Sequence, residues 1–236
     1  MVACNEPLTI VLWLWNGWRP IYNFKHVNAM AGMLFDNLTI PFRLVCITDQ
    51  QPRLGCDVEM IPLWDIATKF NTIPKGQPNS YVRLKLFSPW AVKEFPGQVW
   101  SIDLDAVIMQ NIDSLYSDAD FKINLGRSAP YNGGMWLLRT GTRTEVWDRL
   151  NSDSPHITKR RGWIGSDQAW LSHTLPQEQT WDAADGVFHY SLCKAARTAP
   201  QSCKMMFFAG SIKPWFDLTT RAMPEVALQY RRYLKQ

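Results

Sequence analysis

Two apolar runs separated by a helical one restrict the fold of this chain more than any other stretch. Leu8 to Leu14 is apolar apart from Thr9, and Trp15-Asn16-Gly17-Trp18-Arg19-Pro20 then ends any regular element. From His26 to Phe35 the apolar residues Val27, Met30, Ala31 and Leu34 fall on one helical face, and Asn37 and Pro41 close the segment. Phe42 to Ile47 reads as a second buried strand that stops at Thr48-Asp49. Strand, helix and strand make a βαβ unit. Its right-handed crossover sets the strands parallel and brings the loop after the first strand and Thr48-Asp49 to one sheet edge, where α/β proteins collect nucleotides. No G-x-G-x-x-G and no G-x-x-x-x-G-K-[ST] is present, which argues against a dinucleotide dehydrogenase and a P-loop kinase.

Val58 to Leu63 reads as a third strand, and Thr72 to Asn79 as a loop crowded with Pro74, Gly76 and Pro78. Tyr81 to Phe87 reads as a helix carrying Arg83 and Lys85, two cations that suit a diphosphate or, equally, a solvated helix face. The run Val99 to Met109 then sets Asp103 and Asp105 among apolar and β-branched residues. An unpaired carboxylate in a buried strand costs several kcal/mol, so the two acids need partners or an exit. We read them as the carboxyl end of a strand, with alternation putting both on one side and Leu104 opposite, within reach of one hard cation. A strand end capped by solvated acids is the plainer alternative.

Tyr131-Asn132-Gly133-Gly134 reads as a loop feeding the strand Met135 to Arg139, with glycines that permit close backbone approach. Thr144 to Leu150 has a helical pattern. Gly165-Ser166-Asp167-Gln168 opens another helix with Ser166 or Asp167 as N-cap. Near the end, Met205 to Phe208 is a strand leading to Gly210 and Lys213-Pro214-Trp215, whose lysine suits a phosphate.

Composition narrows the function classes. The formal charge of +4 is too small and too scattered to argue for nucleic-acid binding. The five cysteines have no C-x-x-C spacing, which argues against zinc and a disulfide framework and makes a reducing, cytoplasmic setting the expectation. Leu8 to Trp18 is too short to cross a bilayer, so no integral membrane segment is expected.

In their order, these segments resemble the GT-A glycosyltransferases, and particularly the retaining transferases of family eight and related bacterial and phage-type proteins. The resemblance implies an α/β fold with a Rossmann-like nucleotide-binding half over residues 1–110, a mostly parallel central sheet, and a mixed acceptor-side half over 111–236, all in one domain. It implies transfer of a sugar from a nucleotide diphosphate donor, UDP-linked in most of the family, to the hydroxyl of a glycan, a lipid-linked sugar or a protein, with retention. By the same resemblance, Asp103 and Asp105 look like the D-x-D pair that holds Mn2+ or Mg2+ against the diphosphate, with Lys213 assisting. Trp15, Asn16, Gly17, Thr48, Asp49, Arg83, Lys85, Leu104, Gly133 and Gly210 look like the rest of the nucleotide-sugar site, and Asn132, Asp167 and Gln168 like the reaction centre. One departure stands out. The family usually carries a metal-binding histidine before G-x-x-K-P-W, and here Met206-Phe207-Phe208-Ala209 has none; His189 replaces it only if the fold brings it round. A catalytically silent nucleotide-sugar or glycan-binding protein and a metal-dependent nucleotide-diphosphate hydrolase are the alternatives.

Overall fold

The computed structural model describes residues 8–15, 21–55, 57–66, 68–70, 79–163 and 166–235. Its first strand, β1 (Leu8–Leu14), is buried along its whole length. Alternation sends Ile10, Leu12 and Leu14 into one apolar cluster and Val11 and Trp13 into another, as in a central strand with both faces covered. Helix α1 (Phe24–Asn37) starts at Asn23, whose side chain accepts from Lys25 N at 3.0 Å while Asn23 N donates to His26 Nδ1 at 3.0 Å. Its buried Val27, Met30 and Leu34 join the first cluster. Strand β2 (Phe42–Thr48) runs parallel to β1 from Leu8↔Phe42 to Leu14↔Thr48, so the βαβ unit read from the sequence is present.

Strand β3 (Glu59–Pro62) extends the sheet parallel to β2. Tyr81 to Phe87, read as a helix, lies in a 3-10 helix, Asn79–Phe87, that leads into α2 (Pro89–Glu94), with proline in the first turn. Strand β4 (Gln98–Ile102), wholly buried, lies parallel to β1 on its other side. There follow β5 (Val107–Ile108), β6 (Phe121–Leu125), β7 (Tyr131–Arg139), α3 (Glu145–Asp148), α4 (Ser154–Arg160), α5 (Asp167–Thr174), β8 (Gln179–Trp181), β9 (Val187–His189), α6 (Tyr190–Cys193), β10 (Met205–Phe207), α7 (Asp217–Ala222) and α8 (Pro224–Leu234). The main sheet has the order β3-β2-β1-β4-β7-β6-β8 and is parallel except where β7 meets β4 and β6. A small sheet, β5-β10-β9, carries the C-terminal segment back toward the end of β4. Among the described residues no helix is long and apolar enough to cross a membrane.

Two local expectations change. The acids do not sit in an extended strand: β4 ends at Ile102, and Ala106 N donating to Asp103 O at 3.2 Å closes a turn around them. Tyr131-Asn132-Gly133-Gly134 is not a loop but the first half of β7. Asp103 N donates to Gly134 O at 2.8 Å, so this glycine stretch is held by the turn that bears the acids.

Candidate functional site

The order of the main sheet puts β1 between β2 and β4, and the chain leaves these strands into a crevice at their carboxyl ends. Arg83, from the 3-10 helix, reaches into it. Its Nη1 donates to Asp103 Oδ1 at 2.5 Å, and its Nη2 lies 2.5 Å from Asp167 Oδ2 at the start of α5. Asp167, read as a possible cap, is therefore the buried partner of a guanidinium. On the other side of the turn, Asp105 Oδ2 accepts from Lys213 Nζ at 2.5 Å and from the Tyr22 hydroxyl at 2.9 Å. Lys213 also lies over the Tyr22 ring. Trp215 packs its ring 4.3 Å from that of His26 and 5.3 Å from that of Tyr230, so the Lys-Pro-Trp segment is wedged against α1 and α8. Gly210, with φ +69, turns the chain into that segment in a backbone region that side chains disfavour.

This cluster sets three carboxylates against two cations. Desolvation in the crevice pushes the Asp103 carboxyl up to about 6; Arg83 opposes the shift, and Asp105 and Asp167 add to it. Arg83 is desolvated as well, but Asp167 and Asp103 outweigh that cost and hold its pKa above the ordinary value. Burial and the two carboxylates keep the Tyr22 hydroxyl protonated, hence a donor.

Asn132 and Gln168 face the same cavity with one end of each amide already committed. Gly134 N donates to Asn132 Oδ1 at 2.9 Å, and Gly133 N donates to Gln168 Oε1 at 3.1 Å. In this arrangement of the amides, what both offer a ligand is N–H. The glycines are there for space. A Cβ on Gly133 would meet Arg83 Nη2 at 3.0 Å, and one on Gly134 would lie 2.8 Å from Asn132 Oδ1 and 2.9 Å from Phe207 Cδ1. Gly134→Ala is expected to lower stability by about 1–3 kcal/mol, seen as a lower urea midpoint at constant slope. An unchanged midpoint would mean that the cleft wall yields freely.

Two cavities meet at this point. One, of about 250 Å³, is lined by Trp13, Trp15, Ile21 and Leu104; the other, of about 560 Å³, holds Asp105, Asn132, Gly133, Gln168, Gly210 and Lys213. Tyr22, Arg83 and Asp103 belong to both. Most residues singled out in the sequence thus converge, but not all. Lys85 turns away, with its ammonium 4.4 Å from the centre of the Trp90 ring and 5.1 Å from that of Trp64, outside both cavities. Thr48 is buried at the end of β2, where its hydroxyl accepts from Gln50 N; neither it nor Asp49 lines the cavities. Asn16, Gly17 and Gly165 lie outside the described residues. Tyr22 and Arg127 line the polar cavity without having been marked by any motif. His189 does come round: it pairs with Phe207 across β9 and β10 and lines the cavity, with its Nε2–H donating to Leu125 O at 2.9 Å.

Asp103 and Asp105 suit a hard divalent cation. Both face the polar cavity, oxygen is the preferred donor, and the ion-paired cluster has one negative charge in excess. Among the described residues no group of three His, Cys, Asp or Glu is placed to hold a metal ion.

No family model and no curated protein matches the chain. Solved structures do. The galactosyltransferase LgtC, bound to donor and acceptor sugar analogs, aligns with a TM-score of 0.60 at 15% identity over 96% of this chain and 95% of its own. An active-site mutant of LgtC aligns at 0.62 and 13% identity over the same shares. The glycosyltransferase GlyE of Streptococcus pneumoniae aligns at 0.60 and 11% identity over 98% of this chain, which spans 63% of GlyE. Identity this low speaks to architecture, and with its mixed seven-stranded sheet the chain has the fold of the GT-A glycosyltransferases.

Proposed function

We propose that this protein transfers a hexose or related sugar from a nucleotide diphosphate donor, UDP-linked in the first instance, to an acceptor hydroxyl with retention. The observation that carries the reading is the junction at Tyr22, Arg83 and Asp103, where an aromatic slot opens into a polar, charged cavity. In this reading the base lies in the cavity lined by Trp13, Trp15 and Tyr22, since aromatic faces stack on bases. The diphosphate then falls at the acid turn, and the sugar reaches the N–H donors of Asn132 and Gln168. Mn2+ or Mg2+ would be held by Asp103 and Asp105 together with diphosphate oxygens, and when bound it supplies charge stabilisation to the leaving diphosphate. Lys213, fixed by Asp105, adds a second positive charge at the same place. Arg83 holds Asp103 in position from behind and leaves its second oxygen for the cavity.

Thermal unfolding with a panel of nucleotide sugars, with and without manganese, tests the reading, because a ligand of the native state raises the melting temperature. A flat panel counts against it. Asp103 must be ionised to bind a cation, and its pKa is raised to about 6. Manganese-dependent donor affinity is therefore expected to be full above that value and to fall as pH drops through it; affinity flat from pH 7.5 to 5 would remove Asp103 from the metal site. That no third protein ligand stands beside the acid pair among the described residues favours one other reading, donor binding without turnover. Product analysis separates the cases: transfer releases UDP, a diphosphate hydrolase releases UMP and sugar phosphate, and a silent binder releases neither.

A further inference from the structure

Among the described residues three cations line the polar cavity, and two of them have carboxylate partners in the protein: Arg83 in Asp103 and Asp167, Lys213 in Asp105. Arg127 is different. Among the described residues it has no carboxylate partner, and its Nη1 donates instead to the hydroxyl of Ser191 at 2.5 Å. The loop that carries it, residues 126–130 between β6 and β7, is tightly closed. Gly126 N donates to Pro130 O at 2.9 Å, and a Cβ on Gly126 would lie 2.0 Å from Ala129 O. Two cross-links tie this loop and the end of β6 to β9 and α6, one from His189 to Leu125 O and one from Arg127 to Ser191. Burial keeps the His189 imidazole in its neutral form; the Leu125 carbonyl opposes that shift, and Arg127 adds to it.

Part of the cavity wall is thus a guanidinium held by a hydroxyl, with N–H donors to spare. A neutral hexose needs only amide and hydroxyl partners, which Asn132 and Gln168 already supply. A guanidinium without an acid is the complement of an oxyanion, which it binds through charge-assisted, often paired hydrogen bonds.

We propose that Arg127 is a specificity-determining residue that selects a substrate bearing a carboxylate or phosphate on the sugar side of this cavity. The inference rests on the transferase reading above. The oxyanion has two sources, the C6 carboxylate of a uronic acid donor sugar or an acidic group on the acceptor.

Calorimetric titration of the wild-type protein, Arg127→Gln and Arg127→Lys distinguishes them. In one arm UDP, UDP-glucose and UDP-glucuronate are compared in the presence of manganese; in the other, UDP-saturated protein is titrated with galactose and with galactose 6-phosphate. In one of the two arms the anionic ligand is expected to bind the wild type about tenfold or more tighter than its neutral counterpart. Arg127→Gln abolishes that preference and Arg127→Lys, which keeps the charge but not the fork, restores part of it. A preference in the first arm assigns the donor sugar, and one in the second assigns the acceptor. Equal binding within both pairs overturns the proposal, as does a preference that survives in Arg127→Gln. A variant that weakens UDP as much as the anionic ligand also overturns it, because Arg127 would then serve the diphosphate. Arg127 is exposed, so its replacement leaves the core intact. If UDP itself fails to bind the wild type, the donor reading has failed, and this inference falls with it.

Discussion

Asp103→Asn and Asp105→Asn introduced together are expected to lower turnover by at least about 10³-fold, because they remove both acids of the metal pair at the point where the leaving diphosphate gathers charge. The two positions contribute differently. Asp103 is half-buried and keeps Arg83 company that Asp167 also provides, so Asp103→Asn alone acts mainly on donor affinity and rate. Asp105 is buried against Lys213 and Tyr22, so Asp105→Asn leaves an ammonium in the protein facing a neutral amide and also lowers stability. Rates are therefore compared at a temperature where circular dichroism shows the variant folded. Wild-type transfer or donor hydrolysis by the double variant in the presence of manganese would falsify the assignment.

Arg83→Met is expected to cost about 3–5 kcal/mol of stability, the range for breaking a buried ion pair from one side. Arg83 is 5% exposed and Asp167 2%, so the variant strands the Asp167 carboxylate where water cannot reach it. Adding Asp167→Asn removes that stranded charge, and the double variant is expected to recover a large part of the loss. A double-mutant cycle in urea reads this directly, with a strongly non-additive coupling between the two positions. Arg83→Met within about 1 kcal/mol of the wild type would mean that Asp167 finds another donor.

Much of this fold was legible in the sequence because its signals are local. The apolar period of β1, α1 and β2 declares a βαβ unit, and crossover handedness does the rest. The acids between β4 and β5 were legible for the opposite reason: charges among Val, Ile and Trp have to find an exit. Lys85 was misleading. It stands two positions from Arg83, and in a 3-10 helix only residues three apart eclipse, so the two cations point different ways and Lys85 ends over Trp64 and Trp90. The stretch from Tyr131 to Gly134 has the composition of a turn, and only its partners on β6 and at Asp103 make it a strand.

By itself the sequence determined which acids, amides and lysine would be available and on which edge of a parallel sheet the first of them would lie. The tertiary structure decided what each is doing. Asp105 meets Tyr22 across 83 positions and Lys213 across 108, and no pattern of neighbours encodes such pairings. They arise because burial leaves each charge one affordable arrangement, beside its opposite. The same constraint drew Asp167 to Arg83 and left Arg127 as the cation lining the cavity without an acid among the described residues.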